Sequence, residues 1–452
     1  MGLWLRAILW ACAASGFFAG DFAVGPVPEE VRTTLQLDAF YAKHTSVHGF
    51  AIVGSAKVSD FALREAAYVL SRMMAGREDI LGAMAERHVR IAVMAWNEFT
   101  TDIPEHRELT PRVFWDRRAR GLGGSPVSCG EENLLGLPGD PYAKENLLIH
   151  EFAHAVHGYG LRTITPDFDQ RLRAAYERAV ASGLWKNTYA GTNHGEYWAE
   201  AVQDWFDNNR ENDSLHNHVN TRAELKEYDP DLAALCAEVF GENPWRYRIP
   251  MERAAADRAH LAGYDLSAAP RFRWREEPVP DSPRVLIQTA LGDIEVELDA
   301  RRAPATVRNF LRYVHEGLYA DGSFSSMVTL PNQSDAKVRI EGVQAQADPA
   351  RESEFLPAIA LERTRDTGLR HLDGTLSMAR ASPDTARDSF FICIGDQPEL
   401  DFGGTHHPDG QGFAAFGKVV RGMEIVRKIR ESRAEGEELA PAIPIQRAIR
   451  LN

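Results

Sequence analysis

The chain has 452 residues, 44% of them hydrophobic and 26% charged, with a formal net charge of −14. The length exceeds one ordinary domain and predicts two or three. The composition is that of a soluble globular protein and excludes a largely disordered chain, a collagen and a multispan membrane protein. The negative field disfavours nucleic acid as a partner. Four cysteines without a C-x-x-C pair exclude a disulfide-dense scaffold and a zinc ribbon.

Residues 1–20 read as a signal peptide. Arg6 is the only charge, and residues 7–20 form a 14-residue uncharged run. That run is shorter than the ~20 residues of a membrane span but suits the apolar region of an export signal. An exported protein, periplasmic or extracellular and without a stable membrane span, is the expectation. The bulky Trp10 argues against a lipid anchor at Cys12. In an oxidising compartment Cys129 and Cys236, both in the first domain, are the preferred disulfide pair, the alternative being three separate buried thiols at Cys129, Cys236 and Cys393.

Residues 21–275 read as a first domain mixing helices and strands. Residues 50–53 and 89–96 are short apolar runs with strand character, and between them Leu63, Ala66, Ala67, Leu70, Met73 and Met74 fall at helical spacing. The Gly- and Arg-rich stretch 117–130 reads as a loop, and residues 143–240 as mostly helical. Residues 276–283 (E-E-P-V-P-D-S-P) have linker composition. Beyond them the pattern turns to strands at 285–287, 294–298, 390–394 and 413–420, with a helix near 305–315.

The strongest motif is His150-Glu151-Phe152-Ala153-His154. Positions four apart on a helix lie about 40° apart around its axis, so both imidazoles reach one metal ion. Zinc is the expected cofactor, with Glu151 placed to take a proton from the attacking water. Asp140-Pro141 is the expected start of this helix, and Gly158 and Gly160 its end. A third ligand is needed. His157 lies about 10.5 Å along the axis from His150, too far for one helix to wrap all three around an ion. The remaining candidates are Glu196 and Glu200, four apart on a later helix. One ligates and the other orients a ligand histidine; Asn193 with Glu196 is also a capping box, which would leave ligation to Glu200.

H-E-F-A-H followed by Tyr189-Ala190-Gly191-Thr192-Asn193 and Glu196-Tyr197-Trp198-Ala199-Glu200 resembles the gluzincin metallopeptidases, in particular the anthrax lethal factor catalytic domain and its relatives. The resemblance covers about residues 140–206. It implies an α+β zincin-type domain with His150, His154 and Glu196 as zinc ligands and Glu151 as general base. It further implies that Tyr189 donates to the oxyanion and that Glu200 supports a ligand from behind.

In the second half, V-L-I-Q-T-A-L-G-D-I-E-V-E-L (285–298), A-P-A-T-V-R-N-F (303–310), D-G-T-L-S-M-A-R (373–380), S-F-F-I (389–392) and G-F-A-A-F-G-K-V-V (412–420) together resemble a cyclophilin-type peptidyl-prolyl isomerase. That implies a closed eight-stranded β-barrel with capping helices over residues 284–452. It also implies a prolyl-peptide pocket containing Gln344, Ala379, Phe391 and Leu400. Ser326 stands where the family has an arginine, and Gln344-Ala345-Gln346 replaces its Gln-Gly-Gly. The expectation is an exported zinc endopeptidase with an appended prolyl-peptide-binding domain of weak or absent isomerase activity, acting on protein or peptide, including proline-containing segments. The alternative is a peptidyl-prolyl isomerase or peptide-binding protein whose zincin domain is inactive.

Overall fold

A computed structural model describes residues 22–333 and 337–452. The signal-peptide reading of residues 1–20 lies outside them. Among the described residues two main hydrophobic cores form, one from residues between Val47 and Leu261 and one from residues between Val285 and Ile445, with a smaller cluster in each domain.

The first core is built on a mixed six-stranded sheet of β1 (Gly25–Pro26), β2 (Tyr41–Val47), β3 (Phe50–Ser55), β4 (Ile91–Met94), β5 (Gly121–Leu122) and β6 (Val127–Gly130), in the order β1-β2-β3-β4-β6-β5. β3, β4 and β6 run parallel, with Ile52 beside Ile91 and Ile91 beside Val127. Their residues are buried throughout, as a strand covered on both faces requires. The helix Asp60–Met73 covers the sheet; the Ser59 side chain caps it by accepting from Phe61 N at 3.3 Å. The stretch expected to be a loop at 117–130 instead contributes β5 and β6. β5 is an edge strand paired antiparallel to β6 through Gly121 and Cys129.

The H-E-x-x-H helix starts later than the sequence suggests. It spans Leu147–Ala155, and Asn146 is its cap, accepting from Ile149 N at 3.1 Å. Asp140 is occupied elsewhere, accepting from Tyr142 N and Asn133 Nδ2. The glycines do not end the helix: the chain continues as a π-turn segment, Val156–Leu161. Gly160 serves packing, because a Cβ there would lie 2.6 Å from the Ile80 side chain.

The expected Cys129–Cys236 disulfide does not form. Cys129, Cys236 and Cys393 are free and buried. Cys129 sits inside the sheet and Cys236 on the helix Pro230–Phe240, and burial pushes both thiols up.

The second core fills a barrel. Its strands are β7 (Arg284–Thr289), β8 (Gly292–Leu298), β9 (Ser323–Val328), β10 (Gly342–Gln346), β11 (Thr375–Met378), β12 (Phe390–Cys393), β13 (Ala414–Arg421) and β15 (Glu438–Arg450). The order β15-β7-β8-β13-β11-β12-β10-β9 closes where β15 pairs with β9, Ile443 beside Phe324. β14 (Ala434–Glu435) adds a short hairpin to β15. Along β7 and β8 every second residue is buried, the period-2 pattern of strands with one face inside. Helices Pro304–His315 and Met423–Arg430 complete the domain, and Phe310 packs edge-on against Phe390 at 5.3 Å.

Residues 276–283 do not hang free. Arg450 donates to the carbonyls of Glu277 and Pro278, and Ala300 N donates to Asp281 O at 3.0 Å. The two domains also touch directly. Ser214 N donates to Asp321 Oδ1 at 2.9 Å, and Arg447 Nη1 donates to the Arg118 carbonyl at 3.4 Å.

Candidate metal centre and prolyl pocket

The helices Leu147–Ala155 and His194–Trp205 pack side by side and bring three donor atoms together. His150 Nε2 lies 3.2 Å from Glu196 Oε2, His154 Nε2 lies 3.3 Å from that same oxygen, and the two nitrogens are 3.2 Å apart. Ligand atoms of His150, Glu151 and His154 also fall within 4.8 Å of one another.

Among the described residues Glu196 does not complete a capping box. Asn193 caps the second helix, accepting from Gly195 N and Glu196 N at 2.8 and 3.0 Å. The Glu196 carboxylate does not return to the cap but turns to the imidazoles. Glu200 lies behind His150: its Oε1 is 3.4 Å from Nδ1, and its Oε2 is 3.2 Å from His216 Nε2.

A nearer partner of His150 is Gln203, which sequence reasoning missed. Gln203 Oε1 is 2.7 Å from His150 Nδ1, and its amide nitrogen donates to Glu145 Oε2 at 3.1 Å. A carboxylate only accepts, so the Gln203 amide is fixed with its oxygen toward His150. Nδ1 then carries a proton, and Nε2 is the nitrogen that faces the cluster, a lone pair there belonging to the neutral ring. The signal was available: 196, 200 and 203 follow the i, i+4, i+7 spacing of one helix face. His216, on a loop and held by Asp213 at 2.8 Å, had none.

Charge balance describes the site. Burial works against a His150 cation, yet the hydrogen bond to Glu196 and the charges of Glu151 and Glu200 push it up to about 10. Burial would raise Glu196, but the two imidazoles hold it well below the usual carboxylate range. Burial raises Glu151. Three carboxylates crowd two imidazoles, an environment that calls for positive charge.

Glycines let the edge strand close over the cluster. A Cβ at Gly121 would lie 2.9 Å from Glu151 Cγ, and one at Gly123 would lie 2.7 Å from His154 Cβ. The cleft so formed holds about 400 Å³ and includes Tyr189. The Tyr189 ring stacks 6.2 Å from His150, and its hydroxyl has no hydrogen-bond partner among the described residues. His157 is turned away, paired with Asp169 at 2.9 Å.

A second cavity of about 630 Å³ lies in the barrel, and Gln344, Ala379, Phe391 and Leu400 all line it, with Phe413 and Ser326. Phe391 and Phe413 meet edge-on at 5.6 Å and form an apolar floor. Ser326 faces Gln344 across the β9–β10 pair. The guanidinium lining this cavity is that of Arg380, which is committed to Asp409 at 2.8 and 2.9 Å.

Residues 284–449 match the family model "Cyclophilin type peptidyl-prolyl cis-trans isomerase/CLD". Peptidyl-prolyl cis-trans isomerase A of Dickeya dadantii is 36% identical over 155 residues, covering 34% of this chain and 74% of that protein. Peptidyl-prolyl cis-trans isomerase cyp18 of Streptomyces antibioticus is 31% identical over 36% of this chain and 92% of its own length. A solved Cryptosporidium parvum cyclophilin-type isomerase aligns with 37% of this chain and 97% of its own, at 21% identity and a TM-score of 0.30. Through its C-terminal barrel, this chain belongs to the cyclophilin-type peptidyl-prolyl cis-trans isomerase family.

Proposed function

We propose that this protein handles peptides at two centres: the barrel binds proline-containing segments, and the N-terminal cluster is a zinc site that hydrolyses peptide bonds. The barrel half rests on family membership and on the apolar cavity. The hydrolytic half rests on one observation, the convergence of His150 Nε2, His154 Nε2 and Glu196 Oε2 within 3.3 Å of one another.

The donor set fits zinc: two imidazole nitrogens, one carboxylate oxygen and a partner behind His150 that fixes its tautomer. When bound, zinc supplies the Lewis acidity that acidifies water and polarises a carbonyl. Glu151 takes the water proton on a carboxylate oxygen as the C–O bond forms, and returns it to the amine nitrogen as the C–N bond breaks. Raised by burial, the Glu151 carboxyl is suited to holding that proton between the two events. The unpartnered Tyr189 hydroxyl is available to donate to the developing oxyanion.

A second reading is favoured by the relatives, which are named peptidyl-prolyl isomerases. In it the barrel rotates prolyl bonds and the N-terminal domain only binds chain. Against full isomerase activity stands Ser326, which brings no cation to the pocket, while Arg380 is neutralised by Asp409.

Metal analysis of the purified full chain, with a peptide library cut by the natural sequence and by Glu151→Gln, separates the readings. Stoichiometric zinc and cleavage abolished by Glu151→Gln are expected. A zinc-free protein that cleaves nothing while accelerating prolyl isomerisation overturns the hydrolytic reading.

A further inference from the structure

Four arginines line the cleft around the metal cluster: Arg118, Arg120, Arg210 and Arg447. Two are committed. Arg120 is buried against Glu132, and Arg210 pairs with Glu145 and Asp213. Among the described residues, Arg118 and Arg447 form no salt bridge with a carboxylate. Arg118 lies 5.7 Å from the Trp115 ring, and Arg447 donates only to the Arg118 carbonyl, at 3.4 Å. Both line the same cleft as Tyr189. They come from different domains. Arg118 ends the helix Arg112–Arg118, and Arg447 belongs to β15 of the barrel. A register shift between Ile445 and Arg447 marks a bulge, the irregularity that re-aims a side chain.

We infer that the barrel completes the peptidase cleft: Arg447 and Arg118 together form a subsite for a substrate carboxylate beside the metal cluster. This rests on the hydrolytic reading above and adds a substrate class to it. Two half-buried guanidinium groups that form no salt bridge among the described residues, in the cleft that also holds Glu151, Glu196 and Glu200, select a negative group at the arginines. That group is either an Asp or Glu side chain or the α-carboxylate of a chain end.

The test measures binding by fluorescence anisotropy on full-length Glu151→Gln protein, zinc-loaded and metal-free. The probes are one labelled peptide in four forms: Glu or Gln at a central position, each with a free-acid or an amidated C-terminus. One charge-assisted pair is expected to give about tenfold tighter binding of a carboxylate form. The Glu/Gln ratio and the acid/amide ratio identify which carboxylate is read. Added Arg447→Ala is expected to bring the discriminating ratio close to one, with Arg447→Lys restoring part of it. Arg118→Gln, on the other domain, is expected to lower the same ratio and serves where the barrel variant does not fold. A ratio unchanged by both substitutions in folded protein overturns the subsite. A natural-sequence chain that cuts peptides without preferring any carboxylate form also overturns it while leaving hydrolysis intact. Arg447-dependent discrimination in a chain that cuts nothing keeps the subsite and removes the hydrolytic reading.

Discussion

His150 Nδ1–H donates to Gln203 Oε1 over 2.7 Å, and that bond sets which nitrogen of His150 faces the cluster. Partners behind a ligand histidine typically contribute 10- to 100-fold in metal affinity. Gln203→Leu removes the nearer acceptor and leaves Nδ1 only the longer approach to Glu200 Oε1 at 3.4 Å. Zinc affinity, measured by competition with a chromophoric chelator, is expected to fall by about 10- to 100-fold. Glu196→Gln, which removes a donor atom outright, should lose more. An unchanged affinity in Gln203→Leu would show that Glu200 and packing orient the ring without Gln203.

Gly123 is where the edge strand passes His154 most closely. A Cβ there would sit 2.7 Å from His154 Cβ and 3.0 Å from its Cδ2, atoms close to helix backbone that cannot swing aside. Gly123→Ala is expected to destabilise the first domain by about 1–3 kcal/mol, as overpacking does, and to weaken zinc binding. Gly158→Ala is the control, since a Cβ at Gly158 meets nothing within 4 Å. All nine tryptophans precede residue 284, so tryptophan fluorescence reports unfolding of the first domain without the barrel. Equal midpoints for the two variants would refute the steric argument.

The sequence carried the parts of this molecule whose period is local. His150, Glu151 and His154 share one helix face, and Glu196, Glu200 and Gln203 share another, although the motif itself points only to the first two of the latter. The alternating burial of β7 and β8 is equally local. What escaped was set by tertiary packing. Asp140-Pro141 looks like a helix start, but Asn133 and Tyr142 claim the Asp140 carboxylate, and Asn146 caps instead. The glycines at 121 and 123 read as a loop because nothing in their spacing reveals the helix beneath them. Arg447 lies about three hundred residues from the cleft it enters; no pattern in the chain links it to His150.

Ser326 lies opposite Gln344 in the lining of the barrel cavity, where the one arginine among the described lining residues is Arg380, paired with Asp409. An arginine there would put a cation beside a bound prolyl amide. Ser326→Arg is expected to raise kcat/KM for prolyl isomerisation at least about tenfold. Single preorganised donors contribute roughly 10²–10³ elsewhere, and the pocket here has not been shaped around that side chain. Protease-coupled or NMR exchange assays on a prolyl peptide provide the measurement. Isomerisation equally fast in both proteins would mean that the barrel works without a cation at this position.

Glu131 is buried at the start of a short helix. Its carboxylate accepts from Ser59 N at 2.7 Å and from Trp96 N at 2.9 Å. Burial outweighs these bonds and, aided by Glu132 and Glu98, pushes the carboxyl up to about 7 from an ordinary 4.5. The folded state therefore holds this proton more tightly than the unfolded chain. The associated stability is fully present below pH 4.5 and is lost as pH rises through 7. A separation of about 2.5 pKa units corresponds to about 3 kcal/mol. Glu131→Gln cannot ionise and keeps one acceptor oxygen, so it lacks this dependence. Followed by tryptophan fluorescence in denaturant, the natural sequence is expected to lose about 3 kcal/mol more than Glu131→Gln between pH 4.5 and 8. All other titrating groups are shared and cancel in that comparison. Parallel pH profiles for the two proteins would show that Glu131 stays ionised in the fold, with the two backbone amides outweighing its burial.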